Sequence, residues 1–465
     1  MKKSYLLFFT LCCFATVTQA QYKDLFDFNG TDGRIPYCDI TVVGHKLYGM
    51  TYSGGANGEG CIFSVDTNGS GYKDLLDFNG TNGKTPTGDL ILVGHTLFGM
   101  APGGGANDSG CVFSIDTNGS GYKDLLDFTG PNGNAPVASL IISGSRMYGM
   151  TLEGGANYQG VVFGLDTDGT HYKDILDFNG PNGAVAYGNL TLIGKTLYGL
   201  TAGGGTNGQG NLFSVDTSGG SPRDLYDFTA ANGEYPNGSL LVIGHRFYAT
   251  NYGGGAHNFG NIFAIDSNGT AYHDLYDFTG GTDGEHLEGT LTLMGAVMYG
   301  VSKAGGLNGG GNIFSLDTNG TNFTDLHDFC TNSGLGPINK LTPLGNILYG
   351  TTPKCGSSVD GNIFSYTTPS IPNTVNNVSA NTTGITVFPN PGNGMFNCSI
   401  KNYESGITNR IMVYNMLGQE VYSQSNIQNP TFNIDLSIQP SGLYLYRVLD
   451  ESGNVLSQGK LVIQR

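Results

Sequence analysis

The sequence predicts an all-β protein: a seven-bladed β-propeller with four antiparallel strands per blade, followed by a small β-sandwich. Three observations predict it. A motif recurs seven times at a spacing of about 50 residues, each period holds four strand-like runs, and roughly the last 80 residues lie outside the period. The 76 glycines, the absence of tryptophan and the scarcity of helical apolar spacing all favour turn-rich β-structure.

The period is defined by the phrase Asp-apolar-any-Asp-Phe. It occurs at residues 24–28, 74–78, 124–128, 174–178, 224–228, 274–278 and 325–329, with one inserted residue in the sixth period. In the second period the strand-like runs are residues 89–94, 96–101, 111–116 and 122–128. Four short antiparallel strands per period, repeated seven times, are typical of a β-propeller.

The order of strands predicts how the ring closes. If residues 89–94 form the innermost strand, the chain begins with an outermost strand, 22–28, and ends the repeats with three inner strands, 340–366. The two ends then complete one blade between them. Pro343 lies in the innermost strand of that blade, where one edge needs no ladder hydrogen bond.

The stretch DTNGSGYKDLLDF, present at both 66–78 and 116–128, has acidic residues at calcium-loop offsets. We favour a hairpin, because a calcium loop must wrap around its ion. On an extended strand Asp74 and Asp77 would point to opposite faces. Since the two Asp columns recur in all repeats, we expect them to accept backbone N–H bonds rather than to do acid-base chemistry.

One column of the second strand is aromatic and is followed by a small residue, as in Tyr48-Gly49 and Phe98-Gly99. A glycine inside a strand marks a close approach of backbones. Crowding towards the axis of the ring would demand this, so we expect these glycines near the axis.

The repeats resemble the GloVer tandem-repeat family of bacterial secreted proteins. The matching text is LYGMTYSGGANGEGCIFSVDTNG, and the resemblance covers Gln21 to about Thr368. It implies a repeat protein with a variable surface-anchoring module, and it implies no catalytic residues and no established ligand.

The ends of the chain predict export. Residues 1–20 are typical of a signal peptide, with Lys2, Lys3, an apolar run and a cleavage site between Ala20 and Gln21. A lipoprotein signal through Cys12 or Cys13 is the weaker alternative. No later stretch is apolar enough to span a bilayer as a helix. The propeller then takes residues 21–367 and a Thr/Asn/Ser/Pro-rich linker takes 368–384.

Residues 385–465 form the predicted β-sandwich and closely resemble the type A C-terminal sorting domain of the type IX secretion system. The residues that carry the resemblance include Pro389, Asn390, Pro391, Gly394, Tyr414, Asn415, Gly418, Asp435, Gly442, Tyr444 and Lys460. The resemblance implies the type IX machinery as a partner and export across the outer membrane of a Bacteroidota-type cell. The protein would be secreted or attached to the outer surface. An ordinary binding sandwich is the alternative.

The net charge bears on which partners the protein can bind, and the cysteine positions bear on which disulfide it can form. The formal net charge is −16, and removal of Lys2 and Lys3 with the leader makes it −18, which argues against nucleic acid and anionic membranes. Six cysteines follow the leader. Cys61 and Cys111 occupy equivalent positions in successive repeats and are expected to be buried thiols. Cys330 and Cys355 are the candidate disulfide.

Motifs for catalysis are absent: there is no Walker loop, HExxH, GxSxG or paired CxxC. We therefore predict no cofactor, no metal site and no assigned catalytic residue. A site should lie where the repeats differ, in the fourteen long loops that surround one mouth of the channel. The candidate ligand-binding residues are Tyr37, Tyr158, Tyr187, Tyr235, His257 and Phe259.

The sequence thus predicts a monomeric, exported protein that binds a glycan, a protein or the matrix without catalysis. Two alternatives stay open, a polysaccharide lyase or hydrolase and a purely structural surface protein. The channel mouth discriminates among them. A deep mouth lined by Asp, Glu, His or Arg favours catalysis, an aromatic rim favours binding, and uniform loops favour structure.

Overall fold

The computed structural model describes residues 21–356, 359–369, 385–400, 409–415, 420–427, 429, 431–437, 439–449 and 455–464. All secondary-structure elements in these ranges are β-strands. No membrane-spanning helix is found among them. The chain divides into two compact units, Met1–Pro369 and Ser370–Arg465, and each is described by itself.

The first unit contains seven four-stranded antiparallel sheets. In sheets 1 to 6 the strands follow one another in chain order, and we call them inner, second, third and outer. Sheet 1 consists of Thr41–Val43, Lys46–Thr51, Cys61–Asp66 and Lys73–Asp77; sheet 2 of Ile91–Val93, Thr96–Ala101, Cys111–Asp116 and Lys123–Asp127; sheet 3 of Ile141–Ser143, Arg146–Met150, Val161–Asp166 and Lys173–Asp177. Sheet 4 consists of Thr191–Ile193, Thr196–Thr201, Asn211–Asp216 and Arg223–Asp227; sheet 5 of Leu241–Ile243, Arg246–Asn251, Asn261–Asp266 and His273–Asp277; sheet 6 of Thr292–Met294, Val297–Ser302, Asn312–Asp317 and Thr324–Asp328.

Sheet 7 combines the two ends of the repeat region. Its inner, second and third strands are Thr342–Leu344, Ile347–Thr352 and Asn362–Thr367, and its outer strand is Gln21–Asp27. The register runs from Gln21 opposite Thr367 to Asp27 opposite Asn362. The pairing predicted between the first strand and the last repeat is therefore confirmed, and Pro343 lies on an edge strand as expected.

The core lies between neighbouring sheets. Seven apolar clusters each join two sheets, and one of them packs Tyr349 of sheet 7 against Phe63 and Val65 of sheet 1. The phenylalanine that closes each repeat phrase is fully buried in all seven copies: Phe28, Phe78, Phe128, Phe178, Phe228, Phe278 and Phe329. Burial of each such ring stabilises the fold by roughly 2 kcal/mol.

The hairpin interpretation of DTNGSGYKDLLDF is confirmed, but one argument used for it is wrong. Each outer strand carries a β-bulge, so that in sheet 1 Phe63 pairs with Asp74 and Cys61 pairs with Asp77. Leu75 is the extra residue. Because Phe63 and Cys61 share a face, Asp74 and Asp77 also lie on one face, and their side chains interact. An unbroken two-residue alternation had predicted opposite faces.

The second Asp column accepts backbone N–H groups as predicted. Asp77 Oδ1 accepts the N–H of Ala56 at 2.7 Å, and five further copies do the same across 21 residues of chain. This bond joins the outer strand to the long loop of its own sheet. The first column does so in part. Asp74 accepts the backbone N–H of Leu76 and Asp124 that of Leu126, whereas the buried Oδ1 atoms of Asp24 and Asp274 have no backbone donor among the described residues.

The requirement for a small residue after the aromatic position has a different physical reason from the one predicted. A Cβ built on Gly49 would lie 2.6 Å from the ring of Phe63 on the adjacent third strand. Gly99 faces Phe113 in the same way. The constraint is thus a ring packed across the sheet rather than backbones crowded at an axis.

The second unit has two antiparallel sheets. One has three strands, Ile385–Phe388, Met395–Ile400 and Thr431–Asp435, and the other has four, Glu420–Ile427, Asn409–Tyr414, Gly442–Leu449 and Val455–Ile463. A single apolar cluster joins them, with Phe396 and Ile434 from the first sheet and Ile411, Val413 and Leu461 from the second.

Candidate functional site

An outer cavity of about 390 Å³ is built from equivalent positions of all seven repeats. It is lined by Tyr37, Thr87, Val137, Tyr187, Asn237, Tyr252, Glu288, Ile338 and Asn339. All but two of these residues belong to one column that precedes the inner strand, spaced by 50 or 51 residues. Tyr252 and Asn339 flank that column. The cavity thus opens where the long loops leave the sheets.

An inner cavity of about 100 Å³ shares most of that lining and adds the next ring of residues. The ring consists of Asp39, Asp89, Ser139, Asn189, Ser239, Thr290 and Lys340. All but Lys340 have a short side chain with a hydrogen-bond acceptor. The wall of the inner cavity is therefore almost entirely polar.

Hydrogen bonds between these residues link six of the seven pairs of neighbouring sheets. The backbone N–H of Asp39 donates to Asp89 Oδ1 at 2.7 Å, and the same bond recurs from Asp89 to Ser139, from Ser139 to Asn189, from Asn189 to Ser239 and from Ser239 to Thr290. Lys340 N–H donates to Asp39 Oδ1 at 2.6 Å and returns the series to its start. The step from Thr290 to Lys340 has no such bond. The Lys340 side chain would have to accept the Thr290 N–H, and an ammonium group cannot accept a hydrogen bond.

Charged and aromatic groups concentrate on one side of the outer cavity. Lys303 Nζ lies 2.7 Å from Glu288 Oε1 and 5.6 Å from the centre of the Tyr252 ring. The Tyr252 ring stacks on His286 at 4.4 Å. Burial is the largest single influence on the pKa of Lys303 and lowers it, but the hydrogen bond and charge of Glu288, together with the two nearby tyrosines, leave the pKa raised. Lys303 therefore stays charged and its pair with Glu288 stays closed.

Tyr37 lies within electrostatic reach of that pair. Burial raises the pKa of Tyr37, with smaller effects from Lys303 and Glu288. Its ring also meets Tyr52 edge to face at 5.7 Å. The three tyrosines of the outer cavity thus come from sheets 1, 4 and 5, and two of them have a charged neighbour.

The carboxyls of the inner cavity are close enough to affect each other. Burial, followed by the negative charge of Asp89, raises the pKa of Asp39 well above its usual range, and Lys340 opposes the shift. Asp89 Oδ2 also accepts a bond from the Asn189 amide at 3.3 Å. Burial and the charge of Asp89 therefore oppose the ionisation of Asp39, and Lys340 favours it.

Two of the six predicted ligand-binding residues, Tyr37 and Tyr187, line the outer cavity. Tyr158 is 81% exposed, and it, Tyr235 and His257 line neither cavity. Phe259 packs against His286 and across Gly280, which is a structural contact.

Sequence reasoning missed most of the lining, including Tyr252, Glu288 and Asn237. The signal was present in the column that contains Tyr37 and Tyr187. Its other members vary between repeats, whereas the column before it is proline in five of the seven repeats and the column after it is glycine in four. A position that varies between repeats beside positions that vary less indicates a surface to which each sheet contributes a different side chain.

Cys61 and Cys111 are buried thiols, as predicted. Cys330 and Cys355 are separate, half-buried thiols, and Cys330 Sγ lies 3.5 Å from Ser333 Oγ. Cys355 has a φ of 63° at a position where six repeats have glycine. The disulfide between Cys330 and Cys355 stays a prediction.

The residues of the tail motif hold turns and strand ends together. The Asn390 amide donates to Lys460 O at 2.6 Å and Asn390 Oδ1 accepts Val462 N–H at 2.9 Å. Tyr444 OH donates to Pro440 O, and Leu436 N–H donates to Gly394 O.

Other predicted residues mark element boundaries. Pro389 and Pro391 follow the first tail strand, Tyr414 ends the strand Asn409–Tyr414, and Asn415 follows it. Asp435 ends its strand and accepts Ser437 N–H, and Gly442 begins the strand Gly442–Leu449. Gln21 begins the outer strand of sheet 7. Gly418 and Ala20 lie outside the described residues.

Across the described ranges, no group of three or more His, Cys, Asp or Glu side chains is arranged to hold a metal ion.

Two family models match the chain. One is described as the Gloeobacter/Verrucomicrobia repeat and matches residues 12–146, 95–245 and 244–395. The other is described as the secretion system C-terminal sorting domain and matches residues 386–464. No curated protein matches the chain. The tail is therefore a sorting domain, and the protein is secreted or attached to the outer surface.

Solved structures resemble the chain weakly. A fungal alcohol oxidase of the AA5 family, in complex with copper, is 12% identical with a TM-score of 0.46, and the match covers 96% of this chain and 99% of the oxidase. A nidogen/laminin complex is 14% identical with a TM-score of 0.36, and the match covers 52% of this chain and 80% of that one. At these TM-scores neither likeness bears on the activity of this chain.

Proposed function

Because the chain belongs to the Gloeobacter/Verrucomicrobia repeat family, we propose that its seven sheets form a closed seven-bladed propeller that binds a carbohydrate in the outer cavity without catalysis. Two observations support the closed ring. Apolar clusters join every sheet to the next and sheet 7 to sheet 1, and the hydrogen bonds of the inner cavity return from Lys340 to Asp39.

The observation that carries carbohydrate binding is the composition of the outer cavity. Tyr37, Tyr187 and Tyr252 offer ring faces, while Asn237, Asn339 and Glu288 offer amide and carboxylate groups. A sugar ring has one apolar C–H face and a rim of hydroxyls, so it needs both kinds of partner. A volume of about 390 Å³ falls in the range of small-ligand pockets.

Catalysis has less support, because the carboxylates of both cavities are already engaged. Glu288 is paired with Lys303, Asp39 accepts Lys340 N–H, and Asp89 accepts both Asp39 N–H and the Asn189 amide. A glycosidase needs two carboxyl groups free to act on the substrate. A purely structural protein would have uniform loops, whereas the lining column differs from repeat to repeat.

We also propose that residues 1–20 are a leader cleaved between Ala20 and Gln21, that the mature protein is a monomer, and that the type IX machinery of a Bacteroidota-type cell exports it. The sorting domain supports this route. The apolar run after Lys2 and Lys3 supports the leader.

A glycan array tests the proposal with the secreted chain and its Tyr252→Ala variant. We expect the wild type to bind a defined set of glycans and the variant to lose most of that signal. Tyr158→Ala is the matched control, since that ring is exposed and lines neither cavity. Absence of binding, or equal binding by Tyr252→Ala, would contradict carbohydrate recognition at this site.

A further inference from the structure

The inner cavity carries more negative than positive groups. Of the residues that line the two cavities, Asp39, Asp89 and Glu288 are acids and Lys340 is the one base. Lys303 neutralises Glu288 from the rim. Asp39 and Asp89 thus line this cavity together with a single lysine. Burial and the charge of Asp89 oppose the ionisation of Asp39, and a further cation in the cavity would favour it.

The lining that the two cavities share also offers an acceptor that no described donor uses. Asn237 Oδ1 is buried, lines both cavities and makes no hydrogen bond. A buried acceptor without a donor is unfavourable, so a ligand that donates to it gains affinity. The shared lining means that such a ligand can touch the tyrosines of the outer cavity at the same time.

An ammonium group suits the inner cavity. It has one positive charge and three donors, and it accepts nothing. The inner cavity of about 100 Å³ holds such a group with some water, since a water molecule occupies about 30 Å³. A metal ion fits less well, because the described residues include no cluster of three His, Cys, Asp or Glu ligands.

We propose that the carbohydrate bound here carries a free primary amine, whose ammonium group enters the inner cavity beside Asp39 and Asp89 while the sugar ring contacts the tyrosines of the outer cavity. This inference rests on the proposed carbohydrate binding. It specifies an unacetylated amino sugar as the ligand class.

Titration calorimetry on the full secreted chain tests the inference with two disaccharides, β-1,4-linked diglucosamine and its di-N-acetylated form. We expect the free-amine disaccharide to bind at least tenfold more tightly. Asp89→Asn should weaken diglucosamine binding about tenfold and leave the acetylated form unchanged, since Asn Oδ1 can still accept Asp39 N–H. Asp39→Asn should act in the same way, because it keeps an acceptor for Lys340 N–H.

Asp127→Asn is the control. It removes one negative charge outside both cavities and keeps an acceptor for Ala106 N–H, so we expect no change with either disaccharide. A lysine tripeptide serves as a further probe, because it presents the same ammonium without a sugar. Binding of the tripeptide as tight as that of diglucosamine would overturn the amino-sugar assignment.

If the two disaccharides bind equally tightly and neither Asp39→Asn nor Asp89→Asn changes their affinity, the amine inference is overturned and carbohydrate binding is left intact. If neither disaccharide binds, the amine inference also fails, and the glycan array decides the proposed function separately. Loss of diglucosamine binding in Asp89→Asn but not in Asp127→Asn supports the inference.

Discussion

At the scale of single residues, Pro222 interrupts an otherwise aromatic column. Tyr72, Tyr122, Tyr172 and Tyr272 each donate their hydroxyl to a backbone carbonyl 40 residues earlier in the chain, at 2.5–2.9 Å. In sheet 5 the Asn261 amide also donates to the Tyr272 hydroxyl. Sheet 4 has no such ring, so the fully buried Asn211 amide there has no tyrosine hydroxyl to bond.

We expect Pro222→Tyr to stabilise the protein by about 1 kcal/mol, because the hydroxyl would accept a bond from the Asn211 amide and the ring would reach the same carbonyl as its copies. Thermal unfolding of the secreted chain measures it. Tyr172→Phe is the matched control and should cost about 1 kcal/mol through loss of its hydrogen bond to Asn132 O. An unchanged or lower melting temperature for Pro222→Tyr would refute the explanation of the column.

Cys355 is a second exception to its column. It replaces glycine at positive φ, a conformation that costs a side chain some strain. We predict that Cys330 and Cys355 form a disulfide in the secreted protein, which would contribute roughly 3 kcal/mol by closing a loop of about 25 residues. Peptide mapping without reductant checks it. Recovery of both cysteines as alkylated free thiols would rule out the bond.

At the scale of the strand, the β-bulge creates paired carboxyls on the outer strands. Burial, followed by the charge of the second Asp in the pair, raises the pKa of the first Asp to about 6 at Asp24, Asp74, Asp174, Asp274 and Asp325. In the unfolded chain the same groups have a pKa near 3.8. The folded protein therefore holds more protons than the unfolded chain between about pH 4 and 6.

Stability should consequently fall as pH rises through that window and level off above about pH 6. The pairs are about half exposed, so solvent screening reduces each contribution. We expect Asp74→Asn to raise the melting temperature by a few degrees at pH 7.5 and to have little effect at pH 4.5, because the amide cannot ionise. Differential scanning calorimetry at both pH values measures it. A larger gain at pH 4.5 would contradict the assignment.

Strand order was predictable from the sequence and local register was not. The period and the turn residues predicted four strands per repeat, and the second and third strands of sheet 2 matched their predicted bounds. The bulge at Leu75 was missed because simple alternation assumes that every residue pairs. The role of Gly49 was missed because its neighbour, the Phe63 ring, lies on another strand.

At the scale of the whole molecule, the candidate site exists only where all repeats meet. Sequence reasoning identified the loop end of the sheets and two of its residues, Tyr37 and Tyr187. It could not identify Tyr252 or the ring from Asp39 to Lys340, because these residues lie far apart in the chain and their proximity depends on how the sheets pack.

We expect export to depend on the sorting domain of the tail rather than on the repeats. We predict that a chain ending at residue 384 accumulates in the periplasm and that fusion of residues 385–465 to an inert secreted domain directs that domain out of the cell. Cell fractionation with immunoblotting measures both. Normal release of the shortened chain would show that the sorting domain is dispensable.

The central claim is that the first strand completes the last sheet, because the site is enclosed only if all seven sheets surround it. Hydrogen exchange on the secreted protein tests it most directly. We predict that the backbone amides of Gln21–Asp27 are as protected as those of the equivalent outer strand Lys73–Asp77. Exchange of Gln21–Asp27 at the rate of a free chain end would contradict the account.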